Sequence, residues 1–211
     1  LFDNIRRLNT ILIDYNQDMW RYISDDWFKQ KPKEGEVGSS TMPQKINPID
    51  FENSEGNLGL ANNLLSHFIQ KLPISRLQRD LSDSTVKRNF GVAIGHCSLA
   101  YASLLKGLQK LSVNEGKLKN ELSNHWEVIV EAYQVILRVN GDDQGYQKLQ
   151  KVTQGKIITQ KLIHEFVQTL KIPENVKKQL IGITPFNYLG FAVEISQEVY
   201  HSIHTYLKGK Q

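Results

Sequence analysis

Apolar residues recur every three or four positions along nearly the whole 211-residue chain, and that spacing leaves little room for anything but α-helices. Ile5, Leu8, Leu12, Tyr15, Met19 and Tyr22 or Ile23 draw one stripe of an amphipathic helix running to about Ile23. A second helix is predicted from Pro48, a residue suited to a first helical turn, to about Lys71. It passes through Leu58, Leu60, Leu64, Leu65, Phe68 and Ile69, and Pro73 stops it. Asp50 and Glu52 lie in its first turn, where negative charge suits the dipole. The third predicted helix, from about Ser84 to Leu111, is the longest, with ~28 residues spanning ~42 Å. Val92, Ala93, Cys97, Leu99, Ala100 and Leu104 make it apolar on more than one side, as in a rod buried in a bundle. Beyond Leu111 come about five or six shorter helical patterns, broken by Gly141, Gly145, Gly155, Pro173 and Pro185. No strand alternation lasts beyond a few residues, and no internal repeat is visible. The expected fold is all-α: a long-helix bundle over residues 1–111, then a small helical C-terminal domain over 112–211.

Composition narrows the function classes. The single cysteine, Cys97, excludes a disulfide framework. No apolar run approaches the ~20 residues of a membrane-crossing helix. The opening LFDNIRRLNT lacks the apolar core of a secretory signal and has no initiator methionine, so a fragment is expected. The 26 Lys and Arg exceed the 22 Asp and Glu by only four and are spread along the chain. That mild excess suits small anions and argues for neither nucleic acid nor membrane as partner.

Between the first two helices the periodicity disappears. The stretch from about Asp25 to Asn47 holds Pro32, Pro43, Gly35 and Gly38, and reads as a long loop. Structureless loops beyond ~12–15 residues are uncommon in compact domains and are usually functional or disordered. Within it, Gly38-Ser39-Ser40-Thr41-Met42-Pro43-Gln44-Lys45-Ile46-Asn47-Pro48 supplies two adjacent hydroxyls, a lysine and an asparagine. Such a loop can close over an anionic substrate; by composition alone it would pass for a solvated linker. A second polar stretch, from Arg79 to Arg88, brings Ser84, Thr85, Lys87 and Arg88 to the predicted start of the long helix. Free N–H groups and the dipole there favour phosphate. The plainer reading is a helix cap, with Asp83 or Ser84 as N-cap and solvated charges.

The order of residues in the loop, completed by Glu52, resembles the GSSxMPxKxNPxxxE signature of the fumarase/aspartase superfamily. DFENSEGNLGLANN and KLPISRLQRDLSDSTVKRN, with NHWEVIVEAYQ, KLQKVTQGK and TPFNYLG further on, are similar to the bacterial adenylosuccinate lyases rather than to fumarase, aspartase or argininosuccinate lyase. The likeness runs from about residue 1 to 200. It implies β-elimination of fumarate from succinyl-amines of purine biosynthesis, in the cytoplasm, with no metal or redox cofactor. It also implies a homotetramer whose active sites draw on three subunits. In such enzymes the first serine of the pair is the base, here Ser39, and a lysine, here Lys45, stabilises the substrate carboxylate. Ser40, Ile46, Asn47 and Asn53 would contact the succinyl end. Arg79, Ser84, Thr85, Val86, Lys87 and Arg88 would contact the nucleotide, and Glu52 would orient Lys45 or its loop. Members of the family are more than twice this long. The resemblance therefore implies a C-terminal portion, with the general-acid histidine lying before Leu1 and the portion alone inactive. Two rival readings stand beside this one: another fumarate-releasing lyase such as argininosuccinate lyase, and a non-catalytic helical oligomerisation fragment. A general anion-binding domain is a third.

Overall fold

The computed structural model describes residues 1–31, 47–77 and 79–209. Its chain is mainly helical and divides into two compact units, Leu1–Lys117 and Leu118–Gln211. Three helices dominate the first unit: α1 (Phe2–Ser24), α2 (Ile49–Lys71) and, after a short α3 (Ser82–Lys87), α4 (Phe90–Gln109).

Each long helix buries one seam with a seven-residue repeat. On α2 the seam is Phe51, Ser54, Leu58, Ala61, Leu65 and Phe68; on α4 it is Ala93, Cys97, Ala100, Leu104 and Gly107. Alternating steps of three and four keep one face turned to its neighbours along the full length of a packed helix. On α1 the buried residues are Asn9, Asn16 and Met19, flanked by half-buried Ile5, Leu12 and Ile23. This corrects the stripe read from the sequence: Leu8 and Tyr15 face solvent, and two asparagines hold their places in the seam. Asn9 has partners for both its amide groups, while Asn16 is paired through Nδ2 and leaves its buried Oδ1 without a partner among the described residues. Asn9 Nδ2 donates to Asn62 Oδ1 (3.0 Å) and to Cys97 Sγ (3.3 Å), and the Tyr101 hydroxyl donates to Asn9 Oδ1 (2.5 Å). Asn16 Nδ2 donates to Ser54 Oγ (3.0 Å).

Apolar clusters fill the two ends of this bundle. At one end Phe2, Phe68 and Phe90 stack with ring centroids 4.8–5.3 Å apart. At the other, Met19, Phe51 and Leu104 are packed by Tyr22, Ile23, Phe28, Leu108 and Leu111. The start of α1 therefore meets the end of α2 and the start of α4, so α2 runs antiparallel to both.

Two further expectations change. The stretch taken as loop from Asp25 begins with a strand, β1 (Phe28–Gln30), paired antiparallel with β2 (Leu111–Val113). Three residues are too few to display an alternation. Ser112, where the sequence texture changes, lies within β2. The predicted single helix from Ser84 to Leu111 is two, because the chain turns at Arg88 and Asn89. Asn89 is the N-cap of α4, and its Nδ2 donates to the Thr85 carbonyl (2.9 Å), occupying a group at the end of α3.

The second unit strings together α5 (Glu115–Asn124, beginning in the first unit), a 3₁₀ turn at Trp126–Ile129, α6 (Val130–Val139), α7 (Gly145–Thr153), α8 (Gln160–Thr169), α9 (Glu174–Gly182) and α10 (Ala192–Lys208). Its own core contains Ile129, Tyr133, Leu137, Ile163, Val167 and Leu180. The Tyr133 hydroxyl donates to the Leu180 carbonyl at 2.6 Å, tying α6 to α9, and burial pushes that phenol up to about 12.

Candidate active site

The sequence points to two groups of functional residues; of the described ones, Asn47 and Asn53 lie at the start of α2 and Arg79–Arg88 follow its end. Ser39, Ser40, Lys45 and Ile46, with most of the expected loop, lie outside the described residues. Asn47 is half-buried immediately before Pro48, whose carbonyl accepts the amides of Phe51 (3.0 Å) and Glu52 (3.2 Å) to open α2. Asp50, 5% exposed, does more than complement a dipole. Its carboxylate receives Lys110 Nζ at 2.6 Å and Lys106 Nζ at 3.0 Å. Burial would raise its pKa, but hydrogen bonds from Lys110 and Lys106 outweigh that and hold the carboxyl below its usual range. Beside it, the Phe51 ring lies flush against Gly107.

Glu52 is exposed, and among the described residues its Oε1 accepts the indole N–H of Trp20 on α1 (3.0 Å). Asn53 Oδ1 accepts from Ser103 Oγ on α4 (2.9 Å) and from Asn57 Nδ2 (3.2 Å). Asn57 Oδ1 meets His96 Nδ1 at 2.8 Å, a further polar link between α2 and α4. Trp20, Asp50, Asn57, Ser103, Lys106 and Lys110 were missed as neighbours of the signature. One signal was available: Lys106 and Lys110 stand four apart and so share a helix face.

The second group follows the end of α2. Lys71 Nζ donates to Asp80 Oδ2 (3.1 Å), Asp83 Oδ1 (2.9 Å) and the Ile74 carbonyl (3.0 Å), which folds the link 72–81 back on the helix. Asp80 Oδ1 accepts from Ser82 Oγ (2.6 Å) and Ser82 N (2.9 Å). These Ser82 bonds, then Lys71, pull its carboxyl down to about 2. Arg79 is exposed in this link, two residues after Leu77, which has φ +42° and is fully exposed.

Ser84, Thr85, Lys87 and Arg88 are exposed; Ser84, Lys87 and Arg88 share one face by their spacing. Two corrections apply here. Ser84 and Thr85 do not open the long helix: they sit inside the six-residue α3, whose N-cap is Leu81 with no side-chain capping bond. The case for phosphate therefore rests on their hydroxyls and on the two cations, not on a long helix's N-terminus. Val86 is 8% exposed and clusters with Ala61, Leu65, Phe68, Ala93 and Cys97, so its side chain belongs to the core and is not available to a ligand.

Of the described members, Asn47 and Asn53 stand at the start of α2 and 79–88 follow its other end; Phe51 and Phe68, near those two ends, are 17 residues and ~26 Å apart along the helix at ~1.5 Å per residue.

Comparison with known proteins identifies the lineage. A family model for the adenylosuccinate lyase C-terminal region matches residues 75–189, more than half of the chain, and a lyase model matches residues 1–61. The chain is 52% identical over 198 residues to the adenylosuccinate lyase of Haemophilus influenzae, covering 94% of this chain and 43% of the relative. It is 54% identical over 198 residues to that of Buchnera aphidicola from Acyrthosiphon pisum, with the same coverage. With that of Escherichia coli K12 it shares 51% over 199 residues, 94% of this chain and 44% of the relative. The chain thus spans under half the length of the relatives it matches, and over that span, signature and C-terminal region alike, it belongs to the adenylosuccinate lyase family.

Proposed function

We propose that the protein carrying this chain releases fumarate from adenylosuccinate, giving AMP, and from the succinylated aminoimidazole-carboxamide ribotide. The observation that carries this reading is the pairing of the GSSTMPQKINP signature with the hydroxyl-rich and cationic stretch at Arg79–Arg88. The first suits a dicarboxylate, the second a nucleotide phosphate.

The carbon to be deprotonated stands next to a carboxylate and is a very weak acid. The reaction therefore needs an activated base and charge aimed at the carboxylate as it takes up electrons. Ser39, as alkoxide, takes that proton. The electron pair left on carbon forms the double bond of fumarate as the C–N bond breaks, and the amine leaves with a proton from a general acid. That acid is assigned to the region of the relatives that precedes this match, so the present chain alone is inactive. Lys45 stabilises the developing aci-carboxylate, while Ser40, Ile46, Asn47 and Asn53 hold the succinyl group. Arg79, Ser84, Thr85, Lys87, Arg88 and the Val86 backbone hold the nucleotide. Asn47 and Asn53 open α2 while 79–88 follow its end, an arrangement that supports one active site taking the two groups from different copies, as in the expected homotetramer.

The test is fumarate release, followed by ultraviolet absorbance, from the protein at its relatives' length. Adenylosuccinate should turn over and argininosuccinate should not. Ser39→Ala should lower kcat by two or more decades with substrate binding retained, since a general base contributes ~10²–10⁴-fold. Arg88→Ala should weaken nucleotide binding by about tenfold to a hundredfold, the value of a charge-assisted hydrogen bond, and leave fumarate binding nearly unchanged. Equal weakening of both ligands would move Arg88 to the succinyl end. Turnover of argininosuccinate alone would replace the substrate assignment.

A further inference from the structure

Lys110 holds both Lys31, upstream of the signature, and Asp50, near the signature's last residue. Upstream, the Lys31 amide donates to the Lys110 backbone carbonyl at 2.8 Å, prolonging the β1–β2 ladder by one bond. Downstream, the Lys110 ammonium, only 11% exposed, donates to Asp50 at 2.6 Å. Asp50 lies three residues after Asn47 and is joined to Lys106 as well. Gly107, one turn before Lys110, lets Phe51 and the Asp50 Cβ approach α4 more closely than any side chain would permit.

We propose that Lys110 is a positioning residue for the reaction proposed above, fixing the separation and orientation of Lys31 and Asp50 through its own main chain and side chain. The inference rests on that functional reading for its consequence and on the geometry alone for its existence. Packing does not explain the ion pair, because the fully buried faces of α2 and α4 otherwise meet through apolar or small residues, and a buried ion pair adds little net stability over apolar packing. What it adds is direction, since a carboxylate held by two lysines fixes the first turn of α2 in rotation and in register. Reacting groups must be held to within about 0.5 Å, and groups of that kind depend on such support.

Lys110→Met, Asp50→Asn, the double variant and Lys110→Arg decide the matter, at the relatives' length for kinetics and in the present chain for amide exchange. Lys110→Met and Asp50→Asn should each lower kcat at least tenfold while KM changes less than threefold. The double variant should fall no further than either single one, because both remove one device. Lys110→Arg, which keeps charge and carbonyl, should restore most of kcat. Exchange should quicken at the Phe51 and Glu52 amides and stay slow at Leu58–Leu65 and at Lys31, whose carbonyl partner every variant keeps.

A folded Lys110→Met protein with wild-type kcat overturns the proposal. So does exchange that quickens along the whole of α2, which would mark Lys110 as merely structural. If the wild-type protein releases no fumarate from either succinyl compound, it is the functional reading that fails. The exchange pattern then decides the clamp by itself, and unchanged protection at Phe51 and Glu52 overturns it.

Discussion

At Gly107 one hydrogen atom decides how closely two helices approach. A Cβ there would stand 2.9 Å from Phe51 Cζ, 3.0 Å from Cε2 and 3.2 Å from the Asp50 Cβ. Overpacking of this kind costs about 1–3 kcal/mol. Gly107→Ala should therefore lower the unfolding temperature of the first unit by several degrees in a thermal melt, and Phe51→Leu in the same chain should recover part of the loss. Asp80 gives a prediction in pH. Its folded carboxyl titrates at about 2 rather than its ordinary 3.8. The stabilisation is therefore complete above the ordinary value and is lost as pH falls towards 2. Asp80→Asn should be less stable than wild type at pH 6 and should show a shallower decline between pH 4 and 2 in acid titrations followed by circular dichroism. Neither residue stands out in the sequence. The chain displays Gly107 as one glycine among fourteen, and its importance appears only when the Phe51 ring is set against it.

The helices themselves were legible because 3.6-residue periodicity survives any detail of packing; α1 and α2 end within a residue or so of where the spacing stops. The face each helix buries was less so. Leu8 and Tyr15 look like core in α1, yet the seam passes through Asn9 and Asn16, and only their partners Asn62, Tyr101, Cys97 and Ser54 make that affordable. Asn9→Ala should cost about 1–3 kcal/mol, because it strands the Tyr101 hydroxyl and the Asn62 carbonyl. Leu8→Ala, by contrast, should stay within about 0.5 kcal/mol as a surface change. Chemical denaturation of both variants checks the ranking, and the reverse order would restore the apolar stripe. The break at Asn89 escaped notice for a related reason. Asparagine is only mildly unfavourable inside a helix, and its role as a cap depends on the Thr85 carbonyl it reaches.

For the molecule as a whole, the signature was the most legible feature, since its residue order is specific even where composition is bland. What the sequence could not show is distance. Residues 47–53 and 79–88 read as parts of one site, and α2 carries them towards opposite ends. A mixture of Ser39→Ala and Arg88→Ala proteins, assayed at substrate well below the KM of the second so that each alone turns over little, should regain activity on subunit exchange after unfolding and refolding together, followed by fumarate release; no recovery would place both groups in sites built from one chain. The two cores make the second unit separable as well. Residues 118–211 expressed alone should melt cooperatively, and Tyr133→Phe should lower that melting point by stranding the Leu180 carbonyl. The final helix should not share in that transition. Ala192–Lys208 buries none of its residues, and a lone helix of this length is marginal in water. Its ellipticity should fade along a sloping baseline well before the step, and removing the chain after Gly190 should flatten the slope and leave the midpoint where it was.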